Sequence, residues 1–157
     1  MRSDKLTAKF QMALADAQSL AIGRDHQFIE PLHVLAAMLD QQGSATRHLL
    51  VNAGVNVNQL SSRVSEAISS LAQVEGQDGD LHLSSDTAKL LNKCDKFAQQ
   101  RDDSYISSEL FLLAALDGDK SIGKLLVDCG ATKEALETAI EQMRGGEKVD
   151  DPNAEEH

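Results

Sequence analysis

Four groupings in this 157-residue chain have the residue types for chemistry: a GDKSIGK loop, a Ser-Ser-Glu triplet, five histidines and two cysteines. Gly118–Lys124 fits the GxxxxGK spacing of a phosphate-binding loop. That loop needs a strand before it and a Ser or Thr after it to ligand Mg²⁺. Here Leu125 follows and the apolar run LFLLAALD precedes, so the segment reads as a turn between helices. Ser107-Ser108-Glu109 sets a candidate nucleophile beside a carboxylate, yet no GxSxG elbow surrounds it. Ser ahead of an apolar run, with Glu in the first turn, is a helix cap.

His26, His33, His48, His82 and His157 form neither an HExxH nor an HxxxH pair, and no cysteine lies at metal spacing from any of them. His33 reads as a partly exposed side chain on the first turn of a helix. Cys94 and Cys129 form no CxxC pair and read as reduced, small core residues, which places the chain in the cytoplasm. No catalytic residue, metal ligand or cofactor-binding residue is expected in this chain.

The elements that position these residues are helices. Leu6, Phe10, Ala13, Leu14, Ala17 and Ala21 recur on one face, with Thr7 at the start and Gly23 at the end. Pro31 stands where a first helical position is expected, ahead of Leu32, Leu35, Ala36 and Leu39. LLVNAG closes a short helix at Gly54, and a fourth runs from Asn58 through Leu71. No two-residue alternation competes. Then the pattern returns. FIEPLHVLAAMLD from Phe28 is answered 77 positions later by the YISSELFLLAALD run from Tyr105, and Leu6-Thr7 by Leu83-Ser84. LLVDCG from Leu125 answers LLVNAG at a spacing of 76, and Cys94 and Cys129 fall where the first copy has Ala17 and Ala53.

The expected fold is all-α: about eight helices in two four-helix repeats related by a pseudo-twofold axis. The repeats span about 1–72 and 83–144, joined by a polar connector at 73–82. Residues 145–157, GGEKVDDPNAEEH, read as a flexible acidic linker. The net charge of −10 argues against nucleic acid and against an anionic membrane surface. No apolar run approaches the ~20 residues that span a bilayer.

Departures between the copies carry information. Where the first copy has His33, the second has Leu110. An apolar residue where its sister tolerates His points to partial exposure. With Leu91 and Phe97 on the preceding helix and Asp102, Asp103 and Glu109 near its entry, a shallow apolar patch rimmed by carboxylates is one expectation. Packing of Leu110 against the linker is the other. Two or three Leu-sized anchors at ~1.5–3 kcal/mol each, against association costs of ~4 kcal/mol or more, give micromolar affinity at best.

LTAKFQMALADAQSLA…FIEPLHVLAAMLD…LLVNAG and its second copy, together with the QVEG connector and the IEQMRGGE exit, resemble the N-terminal domain of the Clp unfoldases, in its ClpB-type disaggregase branch. The resemblance runs from Met1 to about Glu147. It implies a longer parent with two ATPase modules, using ATP and Mg²⁺, a middle domain that works with the DnaK chaperone system, and a hexameric ring. It implies that this part engages unfolded or aggregated polypeptides and passes them to the ring of its own full-length protein, the isolated piece being a monomer. The substrate-contact residues it implies are Thr7, Asp103 and Glu109, with an apolar groove on Leu91, Leu110 and Phe97. Lys93 departs from the apolar residue of relatives. The same fold also implies an alternative, an adaptor-docking domain of a ClpA- or ClpC-type unfoldase.

Overall fold

In a computed structural model, which describes residues 3–74 and 81–156, eight helices form the body: α1 (Ala8–Gly23), α2 (Pro31–Asp40), α3 (Thr46–Asn52), α4 (Val57–Ser69), α5 (Ser85–Gln100), α6 (Glu109–Leu116), α7 (Ile122–Asp128) and α8 (Lys133–Arg144). Short 3-10 turns lie at Ser3–Lys5 and Ala154–Glu156. Two two-residue strands, β1 (Phe28–Ile29) and β2 (His82–Leu83), pair in parallel with Phe28 opposite His82 and Ile29 opposite Leu83. Strands this short carry no alternation to be read from sequence. The connector positions 75–80 lie outside the described residues.

The duplication is visible atom by atom. Thr7 and Ser84 cap α1 and α5, their hydroxyls accepting from Phe10 N (3.2 Å) and Thr87 N (3.1 Å). Both helices end in the same turn. His26 N donates to Ala21 O (3.0 Å) and Asp103 N to Ala98 O (2.9 Å), with Asp25 and Asp102 at φ 57 and 58. Gly23, expected to end α1, is its last helical residue. The left-handed step falls two residues later, on aspartates, whose short polar side chains tolerate it.

The halves exchange edges. Thr7 N donates to Ile106 O (3.0 Å), and Ser84 N to Ile29 O (3.1 Å), so the residue entering each long helix pairs with the segment entering the other half's central helix. At the opposite end α3 packs on α8 and α7 on α4. There Asn56 N donates to Cys129 O (2.9 Å), and a Cβ on Gly130 would lie 2.8 Å from Gly54 O. Neither half closes without its sister.

The central helices α2 and α6 form the spine. In α6 every side chain from Leu110 to Ala115 is buried, and Phe111 meets Phe10 of the other half edge to face at 6.1 Å. Each such Leu or Phe contributes ~1.5–3 kcal/mol by leaving water. The GDKSIGK segment is the turn between α6 and α7. Asp119 accepts from Ser121 N and Gly123 N, both at 3.1 Å, and a Cβ on Gly123 would lie 2.3 Å from Ala115 O. Its glycine serves close packing, not phosphate. Among the described residues no helix is long and apolar enough to cross a membrane.

Candidate functional site

The two halves present homologous positions to one seam and fill them differently. In the second half, Asp102 turns the chain after α5 so that Asp103 faces the entry of α6, where Ser107, Ser108 and Glu109 follow. Arg144, the last residue of α8, reaches into this corner. Its Nη1 donates to Asp103 Oδ2 (2.9 Å), its Nη2 to Glu109 Oε1 (3.0 Å) and to Ser107 Oγ (2.9 Å). Ser107 Oγ donates in turn to Glu109 Oε1 (2.6 Å). Burial pulls the Arg144 pKa down, but Glu109 and Asp103 together carry it above the usual arginine range. The result is a largely buried cation held between two carboxylates.

In the first half His26 stands where Asp103 stands, and His33 where Leu110 does. The two imidazoles meet, His26 Nδ1 to His33 Nε2 at 2.8 Å. Glu30 N–H donates to His33 Nδ1 (2.9 Å), so the His33 proton is on Nε2 and points at His26 Nδ1. Burial, then the neighbouring His26 and Arg24, lower the His33 pKa to about 4. Burial first, then Arg24, lowers that of His26 as well. This corner is neutral.

That finding corrects two expectations together. His33 is not partly exposed: it is 0% exposed, its polarity met by a backbone donor and a second histidine. A histidine in one copy was therefore no sign of exposure in the other, and Leu110 (0%) and Leu91 (1%) lie within the core. No open apolar groove runs along them in this structure. Phe97 is half-buried, with the Arg101 guanidinium 5.7 Å from its ring centre. Lys93 points away from this corner. Its Nζ donates to Asp117 O (2.7 Å) and pairs with the Asp117 carboxylate (3.3 Å) at the C-terminal end of α6.

Thr7, Asp103 and Glu109, by contrast, do come together, with partners the sequence reading missed. Arg144 stands 76 residues after Ile68, a buried α4 position, and a charge replacing a core residue between copies was the signal for it. The tail is the other. Residues 145–156, read as a flexible linker, reverse at Gly145 and Gly146 and lie back on the body. Ser104 N and Tyr105 N donate to Val149 O (2.8 and 3.1 Å), Val149 N to Asp103 Oδ1 (3.1 Å), and Ala8 N to Pro152 O (2.7 Å). The Glu155 carboxylate accepts from Ser108 N (3.0 Å) and from the hydroxyls of Thr7 and Ser108. A cleft of about 180 Å³ remains beside it, lined in part by Leu49, Glu109, Met143 and Arg144.

Chemically this corner offers hydrogen-bond donors and carboxylates, and in the structure it holds the chain's own residues 149–155. Among the described residues no cluster of three His, Cys, Asp or Glu is placed to hold a metal, and both cysteine thiols are buried with raised pKa values, Cys94 chiefly by desolvation.

Residues 5–129 match the Clp repeat (R) N-terminal domain family. The chain is similar to the N-terminal region of the chaperone protein ClpB of Vibrio cholerae, with 53% identity over 156 residues that cover 99% of this chain and 18% of that protein. Its fold matches the Hsp104 N-terminal domain from Candida albicans with a TM-score of 0.85 at 24% identity, covering 96% of this chain and 99% of that one. It also matches a ClpV N-domain in complex with a VipB peptide, with a TM-score of 0.73 at 27% identity, covering 97% and 91%.

Proposed function

The chain belongs to the Clp repeat N-terminal domain family, and from that membership we propose that it is the substrate-capture domain of a ClpB-type, ATP-dependent disaggregase. It binds exposed segments of unfolded or aggregated polypeptide weakly and passes them to the hexameric ring of its own full-length protein. That parent uses ATP and Mg²⁺ in modules beyond this chain and works with the DnaK system in the cytoplasm. The domain itself contributes no catalytic group and no cofactor site.

The observation that carries this reading is the corner between the halves, which already holds a stretch of the chain's own tail through four backbone-directed hydrogen bonds and a carboxylate. The ClpV N-domain structure with a peptide supports the same use of the fold. Thr7 offers its hydroxyl directly to an incoming segment. Asp103 offers one oxygen and spends the other on Arg144. Glu109 fixes Arg144 and so shapes the entry of α6. Phe97 supplies apolar surface at the rim, and Leu91 and Leu110 support the floor from within. Few anchors and a partly polar seat give micromolar or weaker binding, since association alone costs ~4 kcal/mol or more.

NMR chemical-shift mapping with an unfolded polypeptide tests this. Shifts are expected around Thr7, Phe97, Asp103, Ser108 and Glu109, and shifts confined to the His26–His33 corner would contradict it. Docking of one dedicated adaptor is the second reading, favoured by the VipB peptide bound to the ClpV N-domain. Promiscuous pull-down of unfolded polypeptides supports capture; a single stoichiometric protein supports docking.

A further inference from the structure

Glu155 is an acidic residue in a seat built for an anion. Its carboxylate lies at the N-terminal ends of both α1 and α6, held by the hydroxyl of Thr7, which caps α1, by that of Ser108, which precedes α6 without capping it, and by the Ser108 amide. The Ser108 amide and the positive ends of two helix dipoles converge there. The Thr7 hydroxyl serves twice, accepting from Phe10 N while donating to Glu155.

A second, independent set of contacts shows that the seat takes a whole segment. Six residues before Glu155, Val149 is buried at 5% exposure and exchanges backbone hydrogen bonds with the Asp103 side chain and the Ser104 and Tyr105 amides. Between them the carbonyl of Pro152 accepts from the Ala8 amide at the start of α1, and the segment turns on Asp151, whose carbonyl accepts from Ala154 N, so a proline that cannot donate fits the register.

The first half lacks the equivalent. Pro31 stands in the place of Ser108 and brings neither amide hydrogen nor hydroxyl. Ser84, in the place of Thr7, shares its hydroxyl with Thr87 at 2.9 Å. The site therefore belongs to the second half's corner alone.

We infer that Thr7 and Ser108 form a carboxylate-binding site for a turned acidic segment, held in the resting chain by residues 149–155 as a tethered competitor of an incoming client. The last clause rests on the capture reading; the carboxylate site does not. A tether this short sets an effective concentration of order millimolar, so a free segment of similar chemistry must first overcome the chain's own tail.

The test titrates a fluorescent, N-acetylated EKVDDPNAEE peptide into the wild-type chain and into Glu155→Ala, read by anisotropy, with circular dichroism melting to confirm that both are folded. Binding about tenfold tighter to Glu155→Ala is expected. It should be lost when the peptide's ninth residue is Gln and weakened by adding Ser108→Ala. Equal binding to both chains, or no binding to either, overturns the site. A parallel titration uses reduced, carboxymethylated α-lactalbumin. Tighter binding to Glu155→Ala supports competition, and equal binding to both chains overturns it. If that polypeptide binds neither chain while the peptide responds, the capture reading falls and the carboxylate site stands.

Discussion

The His26–His33 corner and the Asp103–Glu109–Arg144 corner occupy the same place in two copies of one fold, with the same backbone turn before each. One is closed by two neutral imidazoles. The other is closed by three charges and covered by the tail. A duplicated scaffold needs both corners filled, but it does not dictate with what. The first half spent its freedom on a self-sufficient neutral contact. The second spent it on groups that leave hydroxyls and amides free to hold another segment.

Acidification should act on the first corner. His33 titrates near pH 4 when folded and near 6.5 when unfolded, so its contribution is full above 6.5 and is lost as pH falls towards 4. The first corner should therefore loosen between neutral pH and about 4.

The largest effect that breaks the comparison is Arg144→Ile, which copies Ile68 into the second half. It strands two buried carboxylates and should cost about 3–5 kcal/mol, read by thermal or urea denaturation. Adding Glu109→Leu and Asp103→Asn should restore most of that loss, because the charges then leave together. Next is His33→Leu, which copies Leu110 into the first half. Leaving the Glu30 amide and His26 without their partner should cost about 1–3 kcal/mol. It should also flatten the acid side of the stability profile between pH 6.5 and 4. Smaller is Glu155→Gln: the body's stability should change by less than about 0.5 kcal/mol, while amide exchange at Ser104, Tyr105 and Ala8 accelerates as the tail detaches. Comparable in size is Lys93→Leu. It removes a half-exposed pair with Asp117 and should cost under about 1 kcal/mol.

The helices, their duplication, the start of α1 near Thr7 and Pro31 at the first position of α2 were legible in the sequence because each follows from local spacing. Thr7, Asp103 and Glu109 were placed at one site by family resemblance, and they do converge. What was not legible depended on long-range pairing. His26 and His33 satisfy each other across a turn, which no motif records, and so the exposure inferred for Leu110 failed. The left-handed step fell on Asp25 instead of Gly23 because the turn, not the helix end, fixes it. The tail's seat arises from atoms up to 148 positions apart, Thr7 and Glu155.

The most direct measurement places a spin label on an unfolded polypeptide and compares mirrored amides in the two halves by NMR. Broadening concentrated at Thr7–Ala8 and Ser104–Glu109, with Ser84–Ser85 and Gln27–Leu32 left sharp, is the expected result. Equal broadening in both halves would contradict the claim that only the second corner receives chain.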